Sequence, residues 1–210
     1  LAILDPELTL ELPANLTAWT GVDALTHALE AYLVPALNPL CDGAALEALK
    51  LISKWLKVAF DQPENINARG GMLIGSCLAG VAFTKGLGLV HSISHMIGAE
   101  YNTQHGLTNA IILPVVMKFN LPHVGEKVRF ISHAMDLKDA SSDLITEEIE
   151  KILNYVDIPR SLSEIGVPLA CKKRIAEKAM LDSATGTNPR VAQIEDVEKL
   201  TEISILSARN

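Results

Sequence analysis

Leucine- and alanine-rich segments with helical periodicity constrain this chain more than anything else in it. From Thr20 to Leu33 apolar residues return every three or four positions, at Val22, Leu25, Ala28, Leu29 and Tyr32. From Cys41 to Ala59 the same spacing picks out Ala45, Leu46, Leu49, Ile52, Trp55 and Leu56, a face broad enough to need covering by other helices. Aromatic residues are only 4% of the sequence, so Leu, Ile, Val and Ala must fill the interior, and that composition favours helix over sheet.

The pattern continues to the C-terminus. A third helix is expected over Glu64–Phe83, where Gly70, Gly71, Gly75 and Gly80 suggest close packing, each glycine costing up to ~1 kcal/mol of helix propensity. A fourth is expected over Leu89–Ala99, and a fifth over Leu107–Phe119 with a kink at Pro114. Four shorter amphipathic helices follow near His123–Met135, Ser142–Val156, Lys172–Asp182 and Ile194–Ala208, with Ser141 available as an N-cap. The expectation is one all-α domain of about nine helices filling residues 1–210. One stretch stands apart: Leu1–Leu4 before Asp5-Pro6 reads as the end of a strand whose sheet lies elsewhere, and there is no initiating methionine, so an N-terminal portion is expected to be missing.

Several function classes are disfavoured. A net charge of −7 with no basic stripe argues against a nucleic-acid binder. The three cysteines, Cys41, Cys77 and Cys171, are distant and odd in number, so free thiols are expected rather than a disulfide framework. No apolar run approaches the ~20 residues that span a bilayer, and the N-terminus has no signal-peptide pattern, so no membrane partner and a cytoplasmic location are expected.

Polar chemistry is concentrated in three segments. Thr20-Gly21-Val22-Asp23-Ala24-Leu25-Thr26-His27-Ala28-Leu29-Glu30 puts Asp23 and His27 on one helical face. Gly86-Leu87-Gly88-Leu89-Val90-His91-Ser92-Ile93-Ser94-His95 does the same for His91 and His95, and His105-Gly106 stands at a helix entrance. Singly these are ordinary: an Asp/His pair one turn apart is commonly a surface pair worth a few tenths of a kcal/mol, and a lone histidine on an apolar helix is commonly a hydrogen-bonded core residue. Together, one carboxylate and several imidazoles suit a divalent first-row metal, which can act as a Lewis acid on an alcohol oxygen.

With His105-Gly106-Leu107-Thr108-Asn109-Ala110-Ile111-Ile112-Leu113-Pro114, Asp5-Pro6 and Thr187-Asn188-Pro189-Arg190, these segments resemble the iron-containing (group III) alcohol dehydrogenases over nearly the whole chain. The resemblance implies metal ligands at Asp23, His27, His91 and His105, and places His95 near a nicotinamide as a proton relay or pocket residue rather than a ligand. The alternative for His95 is that it orients His91. The resemblance further implies Fe(II), or Zn(II), with NAD or NADP, a small alcohol or aldehyde substrate, and a homodimer. It implies a two-domain enzyme whose N-terminal α/β half holds the dinucleotide. This chain departs there: it has no G-x-G-x-x-G loop, so the nucleotide half is expected to be absent and the piece inactive alone. Two other readings remain open, a dehydroquinate synthase-like lyase using metal and NAD, and a non-catalytic metal-binding helical fragment.

Overall fold

The computed structural model describes residues 2–207 and 209, and among these there are nine α-helices, six short 3-10 turns and no strand. The helices are α1 (Ala14–Leu33), α2 (Pro39–Asp61), α3 (Ile66–Ala82), α4 (Leu89–Tyr101), α5 (His105–Asn120), α6 (Lys127–Ala134), α7 (Ser142–Tyr155), α8 (Lys172–Ala179) and α9 (Ile194–Leu206). The all-α expectation holds. Leu1 and Ala208, ends of the expected strand stub and of the expected last helix, lie outside the described residues.

The core is built around α1 and α5. Every residue of α5 from Gly106 to Met117 is buried, as expected of a helix apolar on all sides. It packs on α1, α4, α7 and α9. The helix continues through Pro114, whose missing N–H leaves the Ala110 carbonyl without its helical donor. Helix α1 lies between α5 and the α2–α3 pair, burying Val22, Leu25, Leu29 and Leu33. Asn38, Asn65 and Ser141 cap α2, α3 and α7, each accepting a backbone N–H with its side-chain oxygen.

Ala2–Leu4, the expected strand stub, are exposed, Ile3 by 81%, with no sheet among the described residues to pair with, and Asp5 caps a 3-10 turn at Pro6–Thr9. Two expectations need correction. Helix α1 starts at Ala14, six residues before Thr20, because Pro13 sits at its N-cap and Thr17 and Ala18 are already buried. The second correction concerns membranes. The stretch Ile66–Lys85 is long and apolar enough to cross one by length and composition alone, and the sequence reading missed it because glycine and alanine dilute its apolar residues. Here it is a packing helix against α2 and α1. Its buried Arg69 donates to Pro63 O (2.8 Å), Thr17 Oγ1 (2.7 Å) and Leu12 O (3.3 Å), tying it to the start of α1.

Candidate metal centre

Asp23 and His27 project from one face of α1, His91 from the first turn of α4, and His105 opens α5. The fold gathers all four: one ligand-type atom from each lies within 4.8 Å of the others. His91 Nε2 is 3.8 Å and His105 Nε2 3.6 Å from Asp23 Oδ1, and His27 Nδ1 is 3.9 Å from Asp23 Oδ2. The His27 ring stacks on His91 (centroids 4.6 Å apart, 21° between planes) and leans on Phe83. Two ligands about 2.1 Å from a tetrahedral ion stand about 3.4 Å apart, so the three histidine–Asp23 spacings are close to that of a bound ion.

Glycine makes this approach possible. A Cβ on Gly106 would lie 2.5 Å from Trp19 O and 3.1 Å from Asp23 Cβ. The start of α5 therefore touches the α1 backbone, and that contact brings His105 to Asp23. A Cβ on Gly88 would lie 2.8 Å from both Asn188 Oδ1 and Glu30 Oε1, because the end of α4 is capped from a distance. Leu89 N donates to Asn188 Oδ1 (3.2 Å) and Val90 N to Glu30 Oε1 (2.7 Å), which satisfies two donors that a helix start leaves open.

Glu30 carries a second duty. Its Oε2 is 2.6 Å from His91 Nδ1, with both side chains 1% exposed. His91 donates its Nδ1–H to this carboxylate, which leaves the Nε2 lone pair facing Asp23. Burial pulls the His27 imidazole down to about 4, with Asp23 opposing and His91 adding to the effect. Burial also lowers His105, again against Asp23. Both rings are thus neutral near pH 7, the form that binds a metal. Side-chain exposure rises from 1% at His91 through 20% at His27 to 44% at His105, so the cluster is closed at one end and open at the other.

His95 shares a face of α4 with His91 and meets its ring edge-on, centroids 5.7 Å apart, while Glu30 holds the His91 Nδ1. His95 stacks near His105 (5.6 Å between centroids), and its Nδ1 lies 2.9 Å from Asp182 Oδ2. The pair borders a cavity of about 300 Å³ that also meets Phe83, Gly86 and Thr187. A wider groove of about 870 Å³, between Leu46 and Lys50 of α2 and Phe130 and His133 of α6, touches none of the four clustered residues. The sequence reading assigned no role to Glu30, Asn109 or Asp182. Glu30 falls seven residues after Asp23 and Asn109 four after His105, so helical spacing could have found both. Asp182 reaches His95 from 87 positions away with no local signal.

The donor set of three imidazoles and one carboxylate, steadied by a buried carboxylate behind His91, fits a divalent first-row ion. Residues 17–205 match the family model "Fe-containing alcohol dehydrogenase family, C-terminal". The NAD-dependent methanol dehydrogenase of Bacillus methanolicus is 40% identical over 208 residues, covering 95% of this chain and 54% of that protein. Lactaldehyde reductase of Escherichia coli K12 is 38% identical, covering 95% and 53%. Among solved structures, a 1,3-propanediol oxidoreductase superposes with a TM-score of 0.90 at 36% identity, over 96% of this chain and 55% of its own. The chain spans about half the length of the curated relatives it matches.

Proposed function

The chain belongs to the iron-containing alcohol dehydrogenase family, and from that premise we propose that residues 1–210 are the metal-binding half of an NAD(P)-linked enzyme interconverting small alcohols and aldehydes. Asp23, His27, His91 and His105 are the proposed ligands for Fe(II) or Zn(II). The observation that carries this reading is the convergence of their four donor atoms within 4.8 Å from three helices. When bound, the ion supplies Lewis-acid polarisation of a substrate oxygen.

The chain's own residues do the rest. Glu30 fixes the His91 ring and its tautomer. Asp23 supplies the negative charge. On the open side, Asp182 holds the Nδ1 proton of His95, which leaves Nε2 free to accept or return a proton near the substrate. This geometry supports His95 as the catalytic proton carrier beside the nicotinamide. The sequence holds no G-x-G-x-x-G loop, so the nucleotide is assigned to a domain outside these 210 residues, in keeping with relatives about twice as long. A homodimer in the cytoplasm completes the proposal, by analogy with the family.

Elemental analysis of anaerobically purified chain should find about one equivalent of iron or zinc, and Asp23→Ala and His105→Ala should lose it. Full occupancy in either variant removes that residue from the ligand set. The chain alone should not consume NADH with a short aldehyde, whereas a protein that also holds the nucleotide half should. Turnover by the chain alone would refute the division of labour.

A further inference from the structure

Asn109, one turn after His105 on α5, is fully buried and reaches into the middle of the ligand cluster. Its Nδ2 lies 2.7 Å from Asp23 Oδ1, 3.1 Å from His91 Nε2 and 3.0 Å from His105 Nε2. Its Oδ1, also buried, has no hydrogen-bond partner among the described residues. The amide cannot be turned over, because Oδ1 would then face Asp23 Oδ1, acceptor against acceptor. The NH₂ group therefore points at three of the four proposed ligands.

Lone-pair chemistry gives this arrangement a meaning. A neutral imidazole nitrogen without hydrogen has one lone pair. If Asn109 donates to it, that lone pair is not available to an ion. A carboxylate oxygen has more than one, so Asp23 can accept from Asn109 and bind an ion together. The amide has two hydrogens for three acceptors, so at most two of the contacts are bonds at once.

We propose that Asn109 is a placeholder for the metal: it donates to the buried imidazoles while the ion is absent, then yields them and keeps only Asp23 when a divalent cation enters. The inference rests on the metal-centre reading above. Two features suit such a residue. Without an ion the buried His91 lone pair would otherwise be unpaired, a costly state. The orphaned Oδ1 means that no hydrogen bond at the far end of the amide restrains its swing. Asn109 is thus a positioning residue that keeps the empty site in shape and competes weakly with its ion.

The count of bonds sets the expected effect. The empty site loses up to two bonds on Asn109→Ala and the filled site one, so the variant should bind Zn(II) about three- to tenfold more tightly than wild type. Its melting temperature should fall more in the metal-free chain than in the Zn(II)-loaded one. Equal falls in both forms, or weaker Zn(II) binding, would overturn the proposal. A measurement on the unmutated chain stands beside this. The ¹⁵N-labelled side-chain NH₂ of Asn109, assigned through bonds from its own Cβ, should shift on addition of one equivalent of Zn(II). Zn(II) uptake that leaves this resonance in place refutes the placeholder role and spares the metal centre. A wild-type chain that takes up no Zn(II) sinks both.

Discussion

Glu30 is as deeply buried as the leucines around it, yet it carries a carboxylate. Its two oxygens are accounted for by Val90 N and His91 Nδ1, which is the condition under which a buried polar group is tolerated. Glu30→Gln keeps the volume and weakens the hold on His91, so metal affinity should fall about 10- to 100-fold by chelator competition, as for other groups that orient a metal-binding histidine. Unchanged affinity would show that packing alone orients the ring. At this scale the sequence is readable where helical spacing does the work. Asp23 with His27 and His91 with His95 are visible as pairs, and Glu30 extends the first pair by three residues. What spacing does not reveal is which partner a ring will choose. His95 turns to Asp182, far along the chain, because tertiary packing decides that contact.

Between elements, close approach is the governing quantity. Helices α1 and α5 meet at Gly106, where any side chain would strike the Trp19 carbonyl, a backbone atom with no rotamer to change. Gly106→Ala should cost about 1–3 kcal/mol in urea unfolding, and it should also lower metal affinity, since the displaced α5 carries both His105 and Asn109. Loss of neither would mean that the contact relaxes without consequence. All nine helices were legible from periodicity and their boundaries less so. Polar Asn15 and Thr17 interrupt the apolar spacing over the first turns of α1, although Thr17 is buried against Arg69. The expected helix over His123–Met135 separates into a 3-10 turn at Leu121–His123 and α6, with Gly125 at φ +53° between them.

For the molecule as a whole, α8 is fastened to α4 by charge. Arg174 donates to Glu100 at 2.7 and 3.0 Å, and Lys178 at 2.6 Å. Those hydrogen bonds hold the Glu100 carboxyl down to about 2, well under its ordinary 4.5. A carboxyl whose value is lower in the folded state stabilises above its unfolded value and loses that contribution as pH falls from about 4.5 towards 2. Relative to Glu100→Gln, the wild-type chain should therefore lose stability across that window. Because both cations are about half exposed, the loss should be about 1 kcal/mol or less. Parallel pH–stability curves for the two proteins would show that the fastening adds nothing. The same strap holds the segment ending at Asp182, so its loosening should also free His95.

The rise in exposure from His91 to His105 makes the cluster a socket with a sealed floor and an open mouth. An ion at the proposed site would face the surrounding medium through that mouth. The metal held by the proposed site would then follow supply rather than selection, and a cap over His95 and His105 would slow its exchange.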